Sequence, residues 1–282
     1  MALTFMERND AYADAKVCII PVPYEATVCF RQGTKNGPAA LLRASYEVED
    51  YDIELEREVI EEGFHVMEPL KIKDGETPEN VVEAVRSIVS KVYADKKIPV
   101  VIGGEHSVSV GPVQALKDED ISVLHLDAHS DLRNEFEGSK YSHACAARRM
   151  RELVDSVAQV GIRSATRECI EYLDSIGKKD TMFFGRDYDI DEILEILGEK
   201  VYISLDMDGF DSSLVPGVGT PQPGGLLWSD FMDICKAVGK EKEIIGFDVV
   251  ELAPIADNPA SDLVAAKALY KLAGFALFPE EL

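Results

Sequence analysis

The stretch Ile121-Ser-Val-Leu-His-Leu126-Asp127-Ala-His-Ser-Asp131 decides how this chain folds. Its first half is a short apolar run, of strand length and without a helical period. Its second half places acid, imidazole and acid at alternate positions. On an extended backbone such positions project to one side. Asp127, His129 and Asp131 therefore leave the end of a strand toward one place. The arrangement recurs where residues 201–205 run into Asp206-Met-Asp208, and where residues 98–102 run into Gly103-Gly-Glu-His106-Ser. Six hard or borderline ligands at three strand ends describe a metal centre with two ions.

Working outward, similar apolar runs at 17–21, 157–161, 182–184 and 244–249 read as further strands. Between them lie helical patterns. Residues 78–89 place apolar side chains at three- and four-residue intervals, with Thr77 as N-cap and Pro78 in the first turn. Residues 142–154, 166–176, 190–197, 229–238 and 259–278 follow suit. Strands without polar alternation are buried on both faces, which requires a parallel sheet covered by helices. The expected fold is therefore α/β, three layers, mainly parallel, with helices on both faces. Ligands of such sheets bind beyond the carboxyl ends of the strands, where His106, Asp127, Asp206 and Glu251 fall.

The 282 residues, 46% hydrophobic and 29% charged, provide for a large core. No linker-like stretch and no internal repeat divides them, so one domain over residues 1–282 is expected. The formal charge of −23, from 52 acids against 29 bases, argues against nucleic-acid binding, which needs a basic face, and favours cationic partners. Five scattered cysteines without a CxxC read as reduced thiols of a cytoplasmic protein. The N-terminus lacks a basic region followed by an apolar stretch, so no signal peptide is expected. The apolar tail at 263–278, interrupted by Lys267 and Lys271, reads as an amphipathic helix on the core and not as a membrane span.

A lone histidine is more often structural than a ligand, and a lone Asp-x-Asp is often an acidic turn. Four aspartates converging without cations, however, would repel one another or take up protons. His143 follows the Asp127–Asp131 motif after a short loop and is a candidate for proton transfer, whereas His125 and His65 read as structural. Glu251 is a candidate anion for a cationic substrate, and Asp248 has no assignable role. The segment Gly217-Val-Gly-Thr-Pro-Gln-Pro-Gly-Gly225 lacks phosphate-loop spacing and reads as a stiff loop lining the site, packed down by Trp228.

Together these motifs resemble the ureohydrolase (arginase/agmatinase) family. The resemblance runs from Pro21-Val-Pro-Tyr-Glu-Ala-Thr through Gly-Gly-Glu-His106-Ser, Asp127-Ala-His-Ser-Asp131 and Ser204-Leu-Asp-Met-Asp208 to Gly246-Phe-Asp-Val-Val-Glu251. It implies an arginase-like fold and two Mn²⁺ per subunit. One ion would be held by His106, Asp127, Asp131 and Asp206, the other by His129, Asp127, Asp206 and Asp208, with Asp127 and Asp206 bridging. It implies His143 as proton shuttle and Glu251 as guanidinium-binding acid. Asp131 is the other proton carrier expected. The loop from Leu132 to His143 has acids and aromatics where arginases carry an Asn/Ser/Thr-rich run, so the resemblance is nearer to agmatinases. The expected reaction is attack of a metal-bridging hydroxide on agmatine, giving putrescine and urea. Glu135 and Glu137 are candidates to face the far amine, with Arg133 as a possible repulsive neighbour. The alternatives are another guanidino compound (guanidinobutyrate, aminopropylagmatine or arginine) or a non-catalytic metal-binding paralogue. A single-metal deacetylase is disfavoured by His106 and by the second acid cluster. The resemblance also implies a trimer or hexamer.

Overall fold

The structure, a computed structural model, describes residues 3–282. Its strands are β1 (Val17–Val22), β2 (Tyr51–Asp52), β3 (Arg57–Glu58), β4 (Phe64–Val66), β5 (Ile98–Gly103), β6 (Ile121–Leu126), β7 (Val157–Ile162), β8 (Met182–Phe184), β9 (Lys200–Asp206) and β10 (Glu243–Val250). Its helices are α1 (Gly37–Ala44), α2 (Pro78–Ala94), α3 (Val110–Leu116), α4 (Ala146–Arg151), α5 (Arg167–Ser175), α6 (Ile190–Ile196), α7 (Trp228–Glu241) and α8 (Ala260–Leu277). Eight strands form one sheet in the order β4-β1-β5-β10-β9-β6-β7-β8. Every pairing in it is parallel. β2 and β3 form a separate antiparallel hairpin.

Period two along each strand divides the core between the two faces. Ile19, Val100, Leu124, Ile203 and Phe247 pack on one side with residues of α1, α6, α7 and α8. Ile20, Val101, Val123 and Tyr202 pack on the other with residues of α2, α3 and α4. The three layers expected from unbroken apolar strands are thus present. Each strand read from the sequence is found, to within a residue or two at its ends.

Several elements differ from the sequence reading. β4 has three residues, too few for a period. α1, at Gly37–Ala44, was not read from the sequence, although its Pro38 sits in the first helical turn, where Pro is favoured. α3 is seven residues long. The helix expected over 142–154 is a 3-10 turn, His143–Cys145, followed by the short α4. The largest correction concerns α8. Lys271 does not face water but is 2% exposed. Its ammonium donates to Asp52 Oδ1 at 2.6 Å and to Glu54, both from the β2–β3 hairpin. Trp228 opens α7 and stacks on Phe210, just past the Asp206-Met-Asp208 turn. Among the described residues no helix is long and apolar enough to cross a membrane.

Candidate metal centre and cleft

Four adjacent central strands, β5, β10, β9 and β6, end at one place. β5 leads to His106, β10 to Glu251, β9 to Asp206 and Asp208, and β6 to Asp127, His129 and Asp131. Two glycines bring these ends together. A Cβ on Gly209 would lie 2.9 Å from the Asp127 nitrogen, so only glycine lets the β9 exit rest on the β6 exit. A Cβ on Gly104 would lie 2.0 Å from the Tyr24 carbonyl oxygen, so only glycine lets the loop after β1 close over the β5 exit. Asp131 and Glu251 themselves sit in the left-handed region, with φ of 48° and 62°. Non-glycine residues held there store strain, which gathers at functional sites.

The ligand candidates converge. His106 Nδ1 lies 3.2 Å from Asp127 Oδ2, 3.4 Å from Asp131 Oδ2 and 3.0 Å from Asp206 Oδ2. His129 Nδ1 lies 3.0 Å from Asp208 Oδ2 and 3.7 Å from Asp127 Oδ1. Asp127 is common to both groups. The carboxylates are pinned by backbone donors: His129 N donates to Asp127 Oδ1 at 2.6 Å, Asp208 N to Asp206 Oδ1 at 2.8 Å, and Ala128 N to Asp208 Oδ1 at 3.1 Å.

Hydrogen bonds behind the centre fix which atoms face it. Ser204 Oγ donates to Asp248 Oδ1 at 2.9 Å, so it accepts from His106 Nε2 at 3.0 Å. Neutral His106 therefore has its Nδ1 lone pair toward the carboxylates. Nδ1 is buried without a hydrogen-bond partner, and so is Asp127 Oδ2. A buried acceptor left unpaired costs about 1–3 kcal/mol, and a cation between these two atoms would remove that penalty at both. The residues therefore fit a metal ion on their own geometry.

His125 is the other imidazole in this space, with Nε2 3.2 Å from Asp127 Oδ2 and its ring stacked on His106. Distance alone admits it as a ligand beside His106, Asp127 and Asp131. Its neighbour Gln159 excludes that role. Gln159 Nε2 donates to the Ser130 carbonyl at 2.8 Å and its Oε1 accepts from Arg151, so the amide can have only one orientation. The same Nε2 meets His125 Nδ1 at 3.2 Å, which makes Nδ1 the acceptor and puts the proton on Nε2. Burial keeps His125 neutral by lowering its pKa. The structural reading of His125 therefore stands, with the added feature that its N–H faces Asp127. His65 is structural as well, with Nδ1 2.8 Å from the Asp10 carbonyl oxygen.

Charge tells the same story. Burial and neighbouring carboxylates push Asp131 and Asp206 well above the usual carboxylate range. Burial pulls His106 and His129 down, but the surrounding aspartates overcome it and raise both, His129 to about 12. Burial also opposes ionisation of Asp127, yet contacts with His106, His125 and His129 hold it well below the usual range. By itself the cluster is short of positive charge and collects protons. Divalent cations would replace those protons.

Beside the centre lies a cleft of about 190 Å³ lined by Asp131, Arg133, Phe136, His143, Thr220 and Glu251, among others. Glu251 Oε1 accepts from His106 N at 2.6 Å. Burial and Asp206 raise its pKa well above normal. The His143 ring stands perpendicular to Phe136, over which the Arg133 guanidinium lies 5.0 Å from the ring centre. The cleft does not include Glu135 or Glu137: both are exposed, which corrects their expected place on its wall. The Gly217–Gly225 loop lines the site as expected, with Thr220 donating to Asp208 Oδ2 at 3.3 Å. Arg163, not singled out in the sequence, ties this loop down by donating to the carbonyls of Asp208, Phe210 and Gln222. Thr27, Glu105, Ser204 and Gln159 were likewise missed. Of these, Glu105, Thr27 and Ser204 had a signal, their places inside the motifs that carry the resemblance, and Gln159 had none.

Fold and donor set together define a class: α/β proteins whose chemistry sits at the carboxyl edge of a parallel sheet, in an acidic cluster fitted for metal. The Arginase family model matches residues 15–274, and the chain belongs to that family. It is 37% identical to N(1)-aminopropylagmatine ureohydrolase from Synechocystis sp., over 95% of this chain and 92% of that one. It is 34% identical to agmatinase from Pyrococcus horikoshii, over 93% of this chain and 92% of that one. Its structure resembles that of agmatine ureohydrolase from Thermoplasma volcanium, with TM-score 0.86, 34% identity, and coverage of 96% of this chain and 94% of that one. The chain is a ureohydrolase.

Proposed function

We propose that this ureohydrolase releases urea from a guanidine whose alkyl chain ends in amines, N(1)-aminopropylagmatine first and agmatine second. Glu251 carries the reading. It is a buried carboxylate in the cleft beside the ligand cluster, with one oxygen engaged by His106 N and the other left for a guanidinium N–H. The longer substrate is favoured by the 37% relative of that name and by the exposed Glu135 and Glu137. These acids sit on the loop that supplies Arg133 and Phe136 to the cleft wall, so amines projecting beyond the cleft would meet them. The shorter substrate is favoured by the agmatinase relative.

His106, Asp127, Asp131 and Asp206 would hold one Mn²⁺, and His129, Asp127, Asp206 and Asp208 the other. Bound there, the ions would lower the pKa of a water molecule to about 7 and make it a nucleophile at neutral pH. Manganese suits a set of carboxylates with two imidazoles. Glu251 orients the guanidinium so that its carbon faces that water. Asp131 accepts the proton that the water gives up as the new C–O bond forms. His143 takes up that proton and delivers it to the alkyl nitrogen as its C–N bond breaks; the proton left on the oxygen of the collapsing adduct then passes to the freed amine, giving urea and an ammonium product. Burial lowers the His143 pKa and so favours the neutral, proton-accepting form at neutral pH. We further propose a cytoplasmic trimer or hexamer, to be checked by light scattering.

Urea release from N(1)-aminopropylagmatine, agmatine, guanidinobutyrate and arginine, each with Mn²⁺, tests the substrate. The two amines should be turned over far better than the two acids, and equal turnover of either acid would overturn the reading. His143→Ala should keep both metals and lower kcat by about 10²–10⁴-fold. Glu251→Gln should act chiefly on KM.

A further inference from the structure

Behind His143, outside the ligand set, four donors converge on one carboxylate. Glu105 is fully buried. Its Oε2 accepts from Ala26 N at 2.6 Å and Thr27 N at 2.7 Å, and its Oε1 from Ser107 Oγ at 2.6 Å and Thr27 Oγ1 at 2.8 Å. The close backbone approach at Gly104 holds the two segments in place, with Glu105 N donating to Tyr24 O at 2.9 Å.

A hydroxyl has one proton and two lone pairs. The Thr27 proton goes to Glu105. One lone pair accepts from His143 N at 2.9 Å, and the other faces His143 Nδ1 at 3.1 Å. A bare Nδ1 would set lone pair against lone pair. A protonated Nδ1 makes a hydrogen bond instead. Ser142 Oγ, 3.3 Å from Nδ1, can act as acceptor or donor and so permits either form. Thr27 alone decides between them.

We propose that Thr27, locked by Glu105, is the positioning residue that keeps His143 protonated at Nδ1 and leaves Nε2 as the atom that exchanges protons in the cleft. The inference rests on the reading of His143 as a proton carrier. With the other tautomer, Nδ1 would be the free atom, facing Thr27 and away from any substrate. When His143 takes up a proton, the Thr27–Glu105 pair would also steady the imidazolium.

The test is a double-mutant cycle in the Mn²⁺-loaded enzyme, with N(1)-aminopropylagmatine and agmatine as probes. Thr27→Val keeps the shape and removes the hydroxyl, whereas Thr27→Ser keeps the hydroxyl. Thr27→Val should lower kcat by about 10–100-fold, short of full loss of the histidine, with KM little changed. Thr27→Ser should restore most of it, and Thr27→Val should have no further effect in a His143→Ala background. Equal loss in Thr27→Val and Thr27→Ser, or equal loss with and without His143, would overturn the proposal. Two-bond ¹H–¹⁵N spectra of histidine-labelled protein, loaded with diamagnetic Zn²⁺, read the tautomer directly. They should show the His143 proton on Nδ1 in the native protein. A proton on Nε2 sinks the proposal even if Thr27→Val does not fold. If His143→Ala leaves kcat intact, the proton-carrier role fails instead, and the spectra still decide what Thr27 does.

Discussion

Two of the places where this molecule buries aspartates are partnered in different ways. Beneath the β2–β3 hairpin, Asp52 and Glu54 meet the ammonium of Lys271. Desolvation opposes the charge on Asp52, but Lys271 and the backbone donors of Leu55 and Glu54 hold its pKa below normal. At the carboxyl edge of the sheet, Asp127, Asp131, Asp206 and Asp208 face His106, His125 and His129, and among the described residues no lysine or arginine closes a salt bridge to them. The first cluster supplies its own cation and is complete. The second does not, and two buried acceptors there stay orphaned. Burying charge demands a partner in either case. Where the chain withholds the partner, the site is built to take one from solution.

The sharpest way to break this contrast is to remove an acid from the open cluster. Asp127→Ala should lose both Mn²⁺ ions by elemental analysis and reduce urea release to background, because Asp127 is common to both ligand groups. Retention of full metal content would show that Asp127 does not bridge. Next in size is the closed cluster. Lys271→Met should destabilise by about 3–5 kcal/mol in chemical unfolding, since it strands buried Asp52. Pairing it with Asp52→Leu should recover much of the loss, and neither variant should change the stabilisation by Mn²⁺. A change in that stabilisation would mean the two clusters are coupled. Third, chelation should destabilise the native enzyme by about 2.7 kcal/mol relative to Mn²⁺ at one hundred times its Kd, with the core intact. A melting temperature indifferent to both, in protein shown to have lost its metal, would refute an open cluster.

The smallest effect is in pH dependence, and there Asp52 and the raised pair Asp131 and Asp206 should have opposite signs. Asp52 has a depressed pKa, so its contribution is present above the unfolded value of about 3.9 and fades as pH falls through the folded value. In metal-free protein the raised Asp131 and Asp206 bind protons more tightly folded than unfolded. Stability from them is present at low pH and is lost as pH climbs above about 3.9. The raised His106 and His129 act in the same sense on the alkaline side. Stabilisation by Mn²⁺ should accordingly grow with pH, as fewer protons need displacing. Melting curves of chelated and Mn²⁺-loaded protein from acid to neutral pH would show this, and a constant difference would contradict it.

The contrast also separates what could be read in the sequence from what could not. The open cluster was legible because alternate positions on one strand, Asp127, His129 and Asp131, point together whatever surrounds them. Glu251 followed from its place at a strand end. The supporting bonds had no such local rule: Thr27 reaches Glu105 across 78 residues and His106 reaches Ser204 across 98. Which hydroxyl donates to which acid emerges only in three dimensions. Lys271 was misread for a related reason. Helical period marks α8 as packed on the core, but it cannot show that a hairpin over 200 residues earlier brings acids to a lysine on the buried face. Glu135 and Glu137 were candidates for the far amine by loop composition, which does not show that they lie outside the cleft.

β10 is the last strand of the sheet to be synthesised, yet it lies at its middle, paired with β5 on one side and β9 on the other. Until residues 243–250 have left the ribosome, β5 and β9 have no shared neighbour, and each keeps an open edge able to pair wrongly. His106 follows β5 and Asp206 ends β9, so β10 between them sets their separation. The proposed ligand set is thus complete only where β10 has paired with both neighbours. A nascent or truncated chain can carry the Asp127–Asp131 motif in full and still offer an ion only part of its cage.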